Sequence, residues 1–150
     1  MNLLTIADAL AARYASGVVT PPAGLKNITS STARPPNNIP NTPFVIAWSQ
    51  DGDVTYNSGP QVIGENRFAV CFYYSKAEGD TPREYVALMS WVGVLLGQLH
   101  SQTQLGLGAL VPEAAVQKWA IGTLSYGGTV YEAITLTVRV KTRESVTLTP

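Results

Sequence analysis

Few residues in this chain are of the types that catalysis or metal binding demand. His100 is the only histidine and Cys71 the only cysteine among 150 residues. One imidazole and one thiol cannot assemble the usual Cys/His zinc set. As base and nucleophile the same two would need an orienting third group and a local signature, and the sequence supplies neither. The ten carboxylates are spread along the chain, with no pair placed for acid–base work. Asp51-Gly52-Asp53 begins like a calcium loop but does not continue as one, so it reads as a turn. There is no G-x-S-x-G elbow and no Gly-Lys-Ser/Thr phosphate loop. Gly106-Leu107-Gly108 lacks the third glycine of a dinucleotide fingerprint and follows no strand. Trp48, Trp91 and Trp119 are of a type that lines ligand pockets, but aromatic core packing explains them more simply. Cys71 sits in an apolar run and reads as a buried spectator. The expectation is a chain with no catalytic, cofactor or metal residues, and hence a non-enzymatic one.

The most informative stretch is structural. Thr81 and Glu84 have capping-box spacing, and Pro82 falls where a helix tolerates proline. A helix is expected over Thr81–His100, with Tyr85, Leu88, Met89, Val92, Leu96 and Leu99 as its apolar stripe. His100 ends it, where a cation suits the helix dipole. The opposite side carries Ala87, Ser90, Val94 and Gln98. No Asp, Glu, Lys or Arg occurs from Tyr85 to Leu99, so no face of the helix is strongly solvated. Gly93 and Gly97, one turn apart, leave a notch for a neighbouring backbone. The run is too short to span a membrane, which takes about 20 residues.

The remaining elements are readable in outline. Leu3–Ser16 is expected to be a helix, with Thr5 and Asp8 at its cap and Gly17 as its stop. Between Val18 and Pro43 stand six prolines (Pro21, Pro22, Pro35, Pro36, Pro40, Pro43), which predict an extended arm or surface loop over 18–43, with room for one short strand within Lys26–Thr32. Phe44–Trp48 is a strand, and Asp51-Gly52 predicts a hairpin turn with Asp53–Tyr56 returning. Asn57–Pro60 turns again. Arg67–Tyr74 is apolar on both sides, as a strand covered on two faces would be. Ser101–Pro112 reads as a mobile, Gly-rich loop. Val116–Leu124 and Val130–Arg143 are strands about a Gly127-Gly128 turn, the last alternating Ile134, Leu136, Val138 and Val140 with Thr135, Thr137, Arg139 and Lys141. The predicted architecture is α+β in one domain over 1–150: a mixed, mostly antiparallel sheet of four to five strands, two helices packed on it, and a long proline-rich arm.

Formal net charge is zero, and only 13% of the residues are charged, about half the share in an average soluble domain. A chain without excess basic charge is a poor candidate for a dedicated nucleic-acid binder. A charge-poor surface favours association, so residence in an assembly is expected. The start Met1–Thr5 lacks the basic and apolar regions of a signal peptide, and a lone cysteine gives no disulfide, so a cytosolic product is expected.

The order of elements resembles the tail-terminator family of long-tailed bacteriophages. The resemblance is carried by Leu3–Ser16, Phe44–Trp48, Arg67–Tyr74, Glu84–His100 and Tyr131–Arg143, with Tyr131-Glu132-Ala133-Ile134-Thr135-Leu136-Thr137-Val138 similar to the family's last strand. Ala33-Arg34-Pro35-Pro36 and Ile39-Pro40 are similar to its early arm. The family shares a layout rather than invariant positions, so no site residues carry over. The resemblance implies a virion protein of the neck: a hexameric ring that caps the tail tube and docks the head connector or head-closure protein. Viral DNA would pass through a lumen without a strong basic lining. Ser90, Gly93 and Gly97 on the helix, Pro35 and Pro36 on the arm, and Gly106 and Gly108 in the loop are the expected interface residues. Another neck or tail-tube subunit, such as a head–tail adaptor, and a small ligand-binding accessory domain remain as alternatives.

Overall fold

The computed structural model describes residues 2–56, 61–78, 84–101, 103–108 and 111–145. In chain order the elements are α1 (Leu3–Ala12), β1 (Ser30–Thr32), β2 (Phe44–Tyr56), β3 (Gln61–Lys76), α2 (Tyr85–His100), β4 (Glu113–Tyr126) and β5 (Thr129–Ser145). The strands form one five-stranded sheet in the order β1-β2-β3-β5-β4. β1 runs parallel to β2 and every other neighbouring pair is antiparallel, so the fold is α+β with a mixed sheet and two helices.

Period-two alternation sorts the sheet into two covered faces. Phe68, Val70 and Phe72 of β3 join Val45 and Ala47 of β2 and Ile134, Leu136 and Val138 of β5 under both helices. Ala69, Cys71 and Tyr73 of β3 point the other way, with Phe44 and Ile46 of β2 and Tyr131 of β5, and Ile39 packs onto them. The doubly apolar pattern of β3 thus has a covered partner on each side. β5 is central rather than peripheral, because β4 folds back outside it through Gly127 and Gly128, both with positive φ.

Several expectations change. Asp51-Gly52 is not a turn: β2 runs straight through it to Tyr56, with a register shift between Ser49 and Asp51. The antiparallel ladder with β3 continues through it, with Asp51 opposite Arg67 and Gly52 opposite Asn66. Arg67 reaches Asp51 at 2.6 Å and Asp53 at 3.2 Å. Gly52 faces Asn66 so closely that a Cβ would lie 2.4 Å from its Oδ1. Gly52 thus sits in a close approach to β3 rather than in a bend. The Asn57–Pro60 turn lies outside the described residues.

α1 ends at Ala12, short of Ser16, and its N-cap is Asn2, whose side chain accepts from the Leu4 amide at 2.9 Å. Asp8, expected at the cap, instead pairs with Arg34 at 3.0 Å. The expected cap residues Thr81 and Pro82 of the second helix are outside the described residues, and Glu84 caps α2 without a side-chain bond.

The 18–43 segment carries one short strand, β1, inside the 26–32 stretch that had room for one, and packs on the fold as a long, mostly irregular loop. Val19, Ile28 and Ile39 are buried, β1 adds to the sheet beside Phe44–Ile46, and the following residues cross the sheet face opposite the helices. The loop after α2 also contributes to the interior, since Leu105 and Val111 are buried in the main core.

Candidate functional site

α2 is rotated relative to the stripe read from its sequence. Its buried line is Leu88, Trp91, Val92, Leu95 and Leu99. Leu96 is only half-buried, while Tyr85 and Met89, assigned to the core, are 51% and 53% exposed. The cause is bulk. Trp91 lies in the helix–sheet core with its ring 4.8 Å from that of Phe72, and Leu95 follows one turn later in the same buried cluster. The Tyr14 hydroxyl donates to the Leu95 carbonyl at 2.8 Å, and burial drives its pKa well above the ordinary tyrosine value.

The outward side of the helix is consequently narrower than the sequence implied. Val94 and Gln98 are half-buried. The Gln98 amide donates to the Arg13 carbonyl at 2.9 Å, and Arg13 Nη2 donates to the Gln98 carbonyl at 3.1 Å, fastening the end of α2 to the end of α1. What remains free is Tyr85, Val86, Met89, Ser90, Gly93 and Gly97. Val86 is 77% exposed. A Cβ built on Gly93 or Gly97 meets nothing within 4 Å, so the notch is open. Ser90 turns its hydroxyl back to the Val86 carbonyl at 3.0 Å, leaving the surface there short of polar groups. This is an uncharged ridge with a notch at two glycines beside it.

The other expected interface residues lie elsewhere. Pro35 is exposed and Pro36 half-buried on the opposite face of the sheet, where the Tyr126 hydroxyl donates to the Pro36 carbonyl. Gly106 and Gly108 are exposed in the loop that leaves α2, both at positive φ beside Leu105, itself at φ 52°. The Pro35–Pro36 patch is therefore on the sheet face away from Ser90, Gly93 and Gly97, which share one side of α2.

Residues with chemical potential are kept apart. Cys71 is buried on the sheet face away from α2, where burial pushes its thiol up to about 11, whereas His100 is exposed at the end of α2. Trp91 is in the core, Trp48 half-buried on the other face and Trp119 exposed on β4, so the tryptophans line no common pocket. Among the described residues no three metal-ligating side chains converge, and no helix is long and apolar enough to cross a membrane. A hollow of about 320 Å³ opens between Lys26, Thr42, Tyr74, Ser75 and Glu84.

One feature escaped the sequence reading. Arg67 and Arg139 stand directly opposite each other on β3 and β5, each among carboxylates. Arg67 serves Asp51 and Asp53, Arg139 lies 3.7 Å from both Glu65 and Glu113, and Lys141 reaches Glu113 at 3.4 Å. The hydrogen bonds to Asp51 and then Asp53 raise the Arg67 pKa further. Alternation of charged positions along β5 was the available signal, but the pairing register was not.

No protein-family model matches the chain, and no curated protein matches it with significant similarity.

Proposed function

We propose that this protein is a structural subunit of a phage neck, a tail terminator whose copies close into a hexameric ring. The ring would cap the tail tube, present the docking surface for the head connector, and let DNA pass without binding it. The observation that carries the reading is the outer face of α2: Val86 and Met89 stand exposed beside an open Gly93/Gly97 groove, with no charged side chain from Tyr85 to Leu99. An uncharged face of this kind is better covered than wet. A ring buries two unlike patches per copy and stops growing when it closes. The sheet offers further unlike surfaces on its two flanks. Among the described residues β4 has one unpaired edge, and β2 has none of its residues beyond Ile46 paired to β1. The resemblance in element order to tail terminators supplies the biological setting, and zero net charge suits a lumen that must release DNA.

The test is a Gly93→Arg variant added to purified tail tubes. Bulk and an unpaired charge in the groove should abolish ring formation and leave tubes uncapped, so that they grow beyond their normal length. Capped tubes of normal length with the variant would refute the assigned contact. Failure of the wild-type protein to bind tube ends would refute the function.

A further inference from the structure

The segment from Arg34 to Asn41 has an odd balance of position and attachment. It leaves β1 at one edge of the sheet, crosses to the β4–β5 turn, where Asn37 approaches Gly127, and returns to start β2. Its two ends are tied. The Arg34 amide donates to Thr32 Oγ1 at 2.9 Å, and Thr29 Oγ1 donates to the Asn41 carbonyl at 3.2 Å. Between these ties, two attachments stand out: the buried Ile39 side chain and the hydrogen bond from Tyr126 to the Pro36 carbonyl. Pro35, Pro36 and Pro40 have no amide to donate, so little backbone bonding secures the middle.

Beneath it lies a connected aromatic surface. The Trp48 and Tyr126 rings are 6.4 Å apart, Tyr126 and Tyr73 5.7 Å, and Tyr73 and Tyr131 5.5 Å. Cys71 belongs to the same buried cluster as Ile39. A sticky surface covered by a weakly attached segment is the arrangement of a removable cover.

We infer that residues 34–41 form a removable strap, which lifts from the sheet as a unit while the rest of the fold stays intact, uncovering the Tyr73/Tyr126/Tyr131 face and the Cys71 thiol. Closed, the strap keeps an aromatic patch out of contact with other molecules. The prolines limit both the bonds lost on opening and the conformations gained, which makes the motion local rather than a step of global unfolding. The inference does not rest on the proposed neck function, and its test needs no partner.

Cys71, the only thiol, reports the opening. The full-length protein is exposed to iodoacetamide at a series of urea concentrations, and labelling is followed by mass spectrometry beside global unfolding by circular dichroism. The strap predicts labelling faster than global unfolding and with a much shallower urea dependence. Ile39→Ala should speed labelling in water about thirtyfold or more, given the cost of truncating a buried isoleucine. Tyr126→Phe should speed it less, and Leu95→Ala, on the other sheet face, should leave it unchanged while lowering global stability. Labelling that follows global unfolding in its urea dependence would overturn the inference. So would wild-type labelling that neither Ile39→Ala nor Tyr126→Phe accelerates, since Cys71 would then be reached without the strap moving.

Discussion

Replacing Leu95 by alanine should damage this fold much more than replacing its neighbour Leu96, although both are leucines on the same helix. Leu95 has no exposed surface and packs within the cluster that includes Trp91, Tyr14 and the β5 side chains, whereas Leu96 is half-buried at the margin. Alanine preserves helix propensity, so the difference reports packing alone. A fully buried leucine cut to alanine loses transfer free energy and leaves a cavity, a cost of about 2.7–5 kcal/mol. Taking about 4 kcal/mol for Leu95, and about 2–4 °C per kcal/mol for a chain of this size, Tm should fall by roughly 8–16 °C. For Leu96, with part of its surface already wet, about 1–2 kcal/mol is expected from lost burial. Urea titration of both variants against wild type, at concentrations where the protein is dilute, gives the comparison directly. Equal losses, or a larger loss for Leu96→Ala, would mean that the helix is rotated from its described orientation.

Other outcomes follow from single contacts. Gly64→Ala should destabilise by about 1–3 kcal/mol in urea titration, because its Cβ would sit 2.4 Å from Oγ1 of the buried Thr142. Stability should decline above about pH 10: the Tyr14 pKa is raised in the folded state by burial, so its contribution is complete below the unfolded tyrosine value of about 10 and drains away as pH climbs toward the folded value. Tyr14→Phe should lower stability at neutral pH by about 1 kcal/mol and flatten that alkaline decline. Arg67→Gln should change stability little, with the difference shrinking in high salt, since its pairs with Asp51 and Asp53 are open to solvent.

The sequence disclosed elements wherever a residue's neighbours in the chain decide its fate. The alternation in Val130–Arg143 and the doubly apolar Arg67–Tyr74 both report on covered faces, and both are strands in the fold. Local residue chemistry is silent where a distant partner decides. Asp51-Gly52 has turn chemistry, but it pairs opposite Arg67 and Asn66 of β3 inside a continuous ladder, and no local rule anticipates that pairing. The orientation of α2 was missed for a related reason. Its apolar residues almost encircle it, so several stripes fit the period equally well, and Trp91 packed on Phe72 selects one of them. Prolines in 18–43 correctly exclude regular structure over most of that segment, yet they do not say what it lies against. That depended on Val19, Ile28 and Ile39, three apolar residues with no periodicity to mark them. Ser90, Gly93 and Gly97 fall together because helical spacing places them so, whereas the patches at Pro35–Pro36 and Gly106–Gly108 had nothing local to join them.

Sedimentation of the wild-type protein beside Gly93→Arg, with particles from both examined by electron microscopy, bears most directly on the central claim. A groove that is open in the single chain and filled by a neighbour in the assembly predicts closed six-membered rings for wild type, alone or on tube ends. It predicts a folded monomer for the variant, because a Cβ at Gly93 meets nothing of its own chain within 4 Å and the position is exposed. Rings of equal abundance from both proteins would contradict the contact, and a wild-type protein that stays monomeric on every tail tube would contradict the assembly itself.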